Sequence, residues 1–343
     1  MKLGILGGGQ LGMMMCQAAK SIGISTIIYS DSLDSPAINF SDNHFIEKYN
    51  NFLILEEFIN ECDVVTYEFE NIPFETLKYI ESKINVFPSP DVNNIIQDRL
   101  SEKNYIGNLE IPVVPFIKID NQKDLDNISD EFFPAILKTR KLGYDGKGQQ
   151  VINKKSEIFK IDPGQYILEK KIKLKQEISV ITVRYQNGIM YSYVPIDNAH
   201  KNQILNRSIS PAIIDETIKQ KSLEWSKKII SKLDYIGVIC VEYFISEEGE
   251  LFVNEIAPRV HNSGHLTIES YNISQFESHV RAVCNTESIE PKMIHPSEMQ
   301  NILGEDIFKY REKEIEQNSF FHDYFKEVAK TGRKMGHITK ILI

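Results

Sequence analysis

Two glutamates and the polar loop beyond them carry the most distinctive chemistry in this sequence. Residues 238–245 and 251–256 are apolar runs flanking Glu247-Glu248-Gly249-Glu250, the pattern of a β-hairpin with a four-residue loop. Symmetric pairing about that loop sets Ser246 opposite Leu251 and Glu242 opposite Glu255. Two carboxylates so placed stand roughly 5 Å apart and repel each other. A divalent cation removes the repulsion, and Asn254 offers another hard oxygen. Glu242, Glu255 and Asn254 therefore form a candidate Mg²⁺ site of the kind that also holds nucleotide phosphates. The competing reading is a surface hairpin whose glutamates point into water. The second strand runs into Ala257-Pro258-Arg259-Val260-His261-Asn262-Ser263-Gly264-His265, a segment too polar for a core. Loops directly after strands are where chemistry is commonly mounted. His261 and His265 have the spacing of a zinc pair, yet no helix pattern supports them and no third ligand accompanies them. An anion-binding loop beside a magnesium site uses all of these groups.

A second concentration of chemistry lies at residues 133–149. An apolar edge strand ends at Lys138, and Gly143, Gly146 and Gly148 come after it. Such a loop has backbone amides that can wrap a phosphate chain. It lacks the GKS or GKT ending of a Walker A loop. A flexible turn is the plain alternative. With Lys138 before the loop, Lys147 inside it and the paired glutamates downstream, the pattern describes a lid over a magnesium platform.

At the start of the chain, a short strand at 3–6 runs into Gly7-Gly8-Gly9-Gln10-Leu11-Gly12 and a helix beginning near Gln10. A second strand at 24–29 leads to Asp31. The Gly7, Gly9, Gly12 spacing with that aspartate matches the dinucleotide fingerprint, and an NAD(P)- or FAD-dependent oxidoreductase is the second functional reading. That reading leaves the lid and the acidic hairpin without a role. The motif itself reports a tight strand-to-helix turn with amides aimed at an anion. A third strand at 63–67 ends in Glu68-Phe69-Glu70, where doubly wound sheets bind ligands. Acidic residues serving a helix start are the alternative there. Residues 91–107 read as one helix, 216–233 as an amphipathic one, and 291–304 as a proline-bearing connection.

Taken together and in order, GGGQLG at 7–12, TYEFE at 66–70, KTRKLGYDGKGQ at 138–149, Glu169 with Glu177, NAH at 198–200, NEIAPR at 254–259 with HNSGH at 261–265, and GRKMGH at 332–337 resemble the 5-(carboxyamino)imidazole ribonucleotide synthase family of the ATP-grasp superfamily. The resemblance spans nearly the whole chain. Val260 and Leu266 depart from it, standing where the family often has proline and an aromatic residue; both are packing positions. The implied fold is α/β: a Rossmann-like N-terminal domain (1–90), a central ATP-grasp domain with a glycine-rich lid (91–282) and a small C-terminal domain (283–343). The implied reaction is ATP- and bicarbonate-dependent carboxylation of 5-aminoimidazole ribonucleotide through carboxyphosphate, with Mg²⁺, or Mn²⁺ in its place. The resemblance puts Arg99, Lys138, Gly143, Tyr144, Asp145, Gly146, Lys147, Gly148 and Gln149 at the ATP phosphates. Glu169, Lys170, Lys171 and Ile172 run past the adenine, Glu177 reaches the ribose, and His200, Asn254 and Glu255 complete the nucleotide site. Gln10, Glu68, Glu70 and Tyr144 face the ribonucleotide, with Lys326 and Arg333 at its phosphate. Arg259 holds bicarbonate or carboxyphosphate, Asp145 handles a proton near the amine, and Lys147, counted with them as catalytic, contacts the substrate. A homodimer is implied as well. A related ligase with another acceptor, or a non-catalytic nucleotide binder, would share much of this pattern.

Composition sets bounds on these readings. At 343 residues the chain has room for two or three cored domains. A net charge of −9 argues against a general nucleic-acid surface, since neutralising phosphates needs clustered Lys and Arg. The four cysteines share no metal or redox spacing and suit a reducing, cytoplasmic setting. No apolar run approaches the roughly 18 residues of a membrane span, and no signal-peptide pattern opens the chain.

Overall fold

The computed structural model describes residues 1–143, 147–157 and 165–343. Its N-terminal unit is β1 (Lys2–Leu6), α1 (Gln10–Ser21), β2 (Ser25–Ser30), β3 (Asn43–Ile46), α2 (Phe52–Glu61), β4 (Val64–Tyr67) and α3 (Phe74–Glu81). The four strands form a parallel sheet in the order β3-β2-β1-β4, doubly wound about β1. Two helices come next, α4 (Pro90–Ile96) and α5 (Arg99–Asn108), where the pattern predicts one. The break falls at Asp98, whose carboxylate accepts from Leu100 N and Ser101 N and caps α5.

The next unit holds β5 (Phe116–Ile119), α6 (Gln122–Asp126), β6 (Ala135–Thr139), β7 (Gln149–Ile152) and β8 (Tyr166–Lys170), an antiparallel sheet ordered β5-β8-β6-β7. The strand ending at Lys138 is thus interior rather than at an edge, because β8 pairs with its outer side. Then come β9 (Leu174–Arg184), β10 (Met190–Ser192), β11 (Ile196–Lys201), β12 (Ile204–Ser210), α7 (Glu216–Lys232), β13 (Gly237–Ser246) and β14 (Leu251–Ala257). His200 lies on β11. The chain ends with α8 (Thr267–Ser270), α9 (Gln275–Val283), β15 (Ser297–Leu303), α10 (Asp306–Glu312), β16 (Ser319–Asp323) and β17 (Lys334–Ile341). The stretch expected as a mere connection contains β15, which pairs with β12. The C-terminal strands therefore extend one large sheet, β14-β13-β9-β11-β12-β15-β17-β16, instead of standing apart from it.

That large sheet has two different faces. Val241, Tyr243, Ile245, Leu251, Val253 and Ile256 project to one side and bury against Ile229 and Ile230 of α7. Farther along, the other side buries Ile181, Val183 and Cys240 with Phe276 and Val280 of α9 and with Met13–Cys16 of α1. One core thus joins the N-terminal unit to the central sheet. His279 ties them again, taking a bond from Val238 N at 3.0 Å and meeting Thr66 Oγ1 at 2.8 Å. Val260 and Leu266, the two departures in the signature loop, are fully buried in this core, so they are packing residues as expected.

Gly264 shows how tightly that loop is seated. A Cβ there would lie 2.7 Å from Gln275 Oε1 and closer still to Ile181 Cδ1. Overpacking of this kind costs about 1–3 kcal/mol. Gly264→Ala should lower the unfolding free energy by that much, shifting the urea midpoint down with an unchanged m-value, checked by equilibrium denaturation.

Candidate active site

The expected carboxylate pair forms, and a β-bulge sets its position. Glu242 pairs with Glu255, but the register shifts directly after, so Ile245, not Ser246, faces Leu251. The extra residue on β14 is Asn254, which lets Glu255 emerge on the sheet face away from α7. Glu255 accepts from Arg99 Nη1 at 2.7 Å, while Glu242 meets His261 Nε2 at 3.1 Å. Ser263 N donates to His261 Nδ1 at 3.3 Å, so the ring proton sits on Nε2 and points at Glu242. Burial keeps His261 well below the usual histidine range, reinforced by Arg259.

The two carboxylates divide the repulsion unequally. Burial, then the Glu255 charge, push Glu242 above the usual carboxylate range. Burial works in the same direction on Glu255, yet the Arg99 guanidinium outweighs it and holds that group low. Asn254 Oδ1 is buried and has no protein partner. Two opposed carboxylates and an orphaned amide oxygen are a donor set that fits a hard divalent cation. His261 Nε2 is turned toward Glu242 rather than toward a position shared with His265. His265 Nε2 instead meets Asn262 Oδ1 at 3.1 Å.

The first turn of α5 braces this pair, a role that the sequence pattern did not reveal. Arg99, Glu102 and Lys103 share a helix face. Glu102 accepts from Ile256 N at 2.6 Å, and burial raises its carboxyl to about 8. Lys103, with no exposed side-chain surface, donates to Asn254 O at 3.3 Å and lies 3.1 Å from Glu169 Oε1. Glu169 also accepts from Lys138 at 2.6 Å. Lys138 and Glu169 are therefore brought together with the carboxylate pair through α5. The i, i+3, i+4 spacing of three charges was the available signal. Nearby, Arg140 grips the Asp98 carboxylate with both Nε and Nη2.

Other expected residues form smaller groups. Glu177 Oε2 lies 2.8 Å from His200 Nδ1, and this bond keeps the imidazole above its usual range despite burial. Arg259 Nε donates to Glu70 at 2.6 Å, which ties the signature loop to the end of β4. Gln10 Nε2 reaches Asn262 Oδ1 at 3.4 Å. Gly143 O accepts from Arg99 Nη2 at 3.4 Å, and Gln149 bonds Gln203. Lys147 and Gly148 lead into β7, Lys170 and Lys171 are at the surface, and Ile172 is half-buried. Tyr144, Asp145 and Gly146 lie outside the described residues.

Glu68 is the clearest change from expectation. Its carboxylate accepts from Gly9 N and, at 2.6 Å, from Gly12 N. Gly7, with φ +104°, brings the backbone so close that a Cβ would strike Glu68. The anion at this helix start is the protein's own, and a dinucleotide pyrophosphate would have to displace it. At the C-terminal end, Lys326 Nζ donates to Lys334 O at 2.8 Å and Arg333 Nη2 to Asp34 Oδ2 at 2.9 Å. Asp34 belongs to the loop after β2, so these cations do come against the N-terminal unit.

A braced carboxylate pair beside a small antiparallel sheet, set against an N-terminal α/β unit, is the arrangement that the resemblance to ATP-grasp enzymes implies. Family models agree: a ribonucleotide synthetase preATP-grasp domain matches residues 1–97, an ATP-grasp domain 104–276, and a phosphoribosylaminoimidazole carboxylase C-terminal domain 297–342. The chain is 39% identical to the N5-carboxyaminoimidazole ribonucleotide synthase of Staphylococcus aureus (strain COL), over 98% of its own length and 91% of the relative's. The crystal structure of the Staphylococcus aureus synthetase complexed with ADP superposes with a TM-score of 0.91 at 35% identity, covering 99% of this chain and 93% of that one. The Aspergillus clavatus enzyme in complex with ADP and 5-aminoimidazole ribonucleotide matches with a TM-score of 0.90 at 29% identity and the same coverage. The chain belongs to the N5-carboxyaminoimidazole ribonucleotide synthase family.

The unequal carboxylates give opposite stability signatures. A carboxyl raised by folding binds its proton more tightly in the native state, so its penalty is absent below the unfolded value of about 4.3 and grows as pH rises through the folded one. In metal-free protein, Glu242→Gln should melt at or above the parent temperature, with a gain that increases toward neutral pH. A carboxyl lowered by folding contributes stability above its unfolded value and loses it as pH falls through the folded one. Glu255→Gln leaves Arg99 unpaired and should melt lower at neutral pH, the deficit shrinking in acid. Thermal unfolding in chelator from pH 8 down into the acid range measures both.

Proposed function

We propose that this protein carboxylates the amino group of 5-aminoimidazole ribonucleotide, using ATP and bicarbonate, in purine biosynthesis. The observation that carries the reading is the bulge-set Glu242–Glu255 pair, with Arg259 held beside it on Glu70. In functional terms we divide the chain at about residues 90 and 282, as the sequence motifs suggest. A cytoplasmic setting is supported by four thiols, none of them in a disulfide; the homodimer is carried over from the family resemblance.

A bicarbonate oxygen attacks the γ-phosphorus of ATP and ADP leaves, forming carboxyphosphate. The ribonucleotide's amino nitrogen then bonds to the carboxyl carbon, inorganic phosphate leaves, and the nitrogen loses a proton. Enzymes of phosphoryl transfer work mainly by positioning and charge neutralisation. Glu242, Glu255 and Asn254 would hold Mg²⁺, which supplies charge neutralisation at the phosphates. Lys138 swings from Glu169 to the phosphate chain, and Arg99 is at hand on Glu255. Glu177 and His200 serve the nucleoside, with Glu169, Lys170, Lys171 and Ile172 along the base. Arg259 orients the bicarbonate-derived carboxyl. On the sequence reading, residues 143–149 would exclude water from the intermediate, with Asp145 taking the amine proton and Tyr144 and Lys147 contacting the substrate. Gln10, Glu70, Lys326 and Arg333 bind the ribonucleotide, while Glu68 shapes the loop beneath it. Phosphate release from ATP should require both bicarbonate and the ribonucleotide; ATP turnover indifferent to either one refutes the assignment.

Burial, then Arg333, lower the Lys326 ammonium to about 8, against the pull of Glu68 and Asp34. As a phosphate anchor it is charged below that value and neutral above. The kcat/KM for the ribonucleotide should therefore fall as pH rises past about 8, and Lys326→Arg should move that fall to higher pH. Arg333→Ala should raise the ribonucleotide KM about ten- to a hundredfold, since charge-assisted bonds to phosphate are worth about 1.5–3 kcal/mol. The KM for ATP should stay within about twofold, as separate sites act independently. Steady-state kinetics with each substrate varied distinguishes this anchor from a solvated basic tail.

A further inference from the structure

The signature loop ends in a histidine that none of the catalytic steps uses. His265 has no exposed surface. Its ring is held between Phe276, 5.6 Å away and nearly parallel, and His337 at 4.8 Å, with Tyr324 edge-on at 6.1 Å. His337 stacks in turn on His322 at 4.4 Å and is bonded to Tyr324 OH through Nδ1 at 2.9 Å. His322 is fixed by Glu269 at 2.6 Å. A ring so enclosed cannot turn, and only one of its edges meets a polar partner: Nε2, 3.1 Å from Asn262 Oδ1. Nδ1 is buried without a partner. A buried lone pair left alone is less costly than a buried N–H left alone, so the proton belongs on Nε2. Burial and the neighbouring cations keep the ring neutral, consistent with a single donor.

Asn262 then has its orientation decided for it. Its Oδ1 receives His265 Nε2–H and also Gln10 Nε2–H at 3.4 Å. With the oxygen engaged twice, Nδ2 is the group of this amide left to donate. Asn262 is half-buried, between His261 on Glu242 and the first turn of α1. It thus stands where the metal platform meets the N-terminal glycine loop.

We propose that Asn262 is a further binding residue for the ribonucleotide, donating through Nδ2, and that His265 is the positioning residue that orients its amide. This rests on the proposed carboxylation. His265→Phe keeps the ring stack but removes the donor; Asn262→Ala removes the amide. His265→Gln restores a donor near the position of Nε2. Each single loss should raise the ribonucleotide KM about tenfold, the scale of one neutral hydrogen bond with its partner misplaced, while the ATP KM stays within about twofold. The His265→Gln variant should recover most of the loss. The double variant His265→Phe/Asn262→Ala should be no worse than Asn262→Ala alone, because the histidine acts only through the amide.

Additive losses, an equal loss for ATP, or a normal KM for Asn262→Ala would overturn the proposal. If His265→Phe does not fold, by thermal melting and far-UV dichroism, Asn262→Ala and His265→Gln still decide it. Failure of the underlying carboxylation assignment looks different: the parent enzyme itself would then show no ribonucleotide-dependent phosphate release.

Discussion

Placing Glu242 and Glu255 on one face of a buried sheet creates a repulsion that the surrounding structure is built to hold. Each carboxylate has its own support. Arg99 neutralises Glu255 from α5, and His261 donates to Glu242 from the signature loop. Between them the bulge at Asn254 breaks strand alternation, and Lys103 and Glu102 bind the backbone on either side of Glu255, at Asn254 O and Ile256 N. Without those braces nothing would oppose a return to regular pairing, which would move Glu255 to the α7 side. The residual strain falls on Glu242, whose raised affinity for a proton marks the place where a cation would be welcomed most.

The same braces connect the proposed nucleotide site to the rest of the molecule. Lys103 reaches both Asn254 and Glu169, and Glu169 holds Lys138. A buried run of alternating charge, Lys103–Glu169–Lys138, therefore joins the backbone beside Glu255 to the small antiparallel sheet. Buried ion pairs add little net stability, since desolvation offsets their attraction, but removing one member is costly. That asymmetry suits a site in which one partner must leave for a substrate phosphate. The Arg259–Glu70 pair has the same character, whereas Arg333–Asp34 is a partly exposed bridge. Each spans two units of the chain, and each cation is held by an internal carboxylate.

Much of this architecture is legible from residue order alone. The Glu242–Glu255 opposition is legible from hairpin pairing, although the bulge at Asn254, and not simple symmetry about the loop, sets it. The glycine turn, the parallel sheet of the N-terminal unit and α7 come from local periodicity. The motifs from GGGQLG to GRKMGH point to the family because their order and spacing together are restrictive.

The features that residue order did not disclose are non-local. Whether the glycine loop's amides meet a ligand or Glu68 depends on how close β4 lies to β1, and 56 residues separate Glu68 from Gly12. The merger of β15, β16 and β17 into the central sheet depends on an edge of β12 that has no local signature. Lys103 looks like any helical lysine until packing removes its solvent. His265 sits in a polar stretch just past a half-buried asparagine. It becomes a wholly confined ring only when Phe276, Tyr324 and His337 close on it from later elements. Local sequence determines which backbone shapes and which reactive groups are present. Tertiary packing decides which of them lose water, and loss of water is what turns a charge or an imidazole into a committed partner.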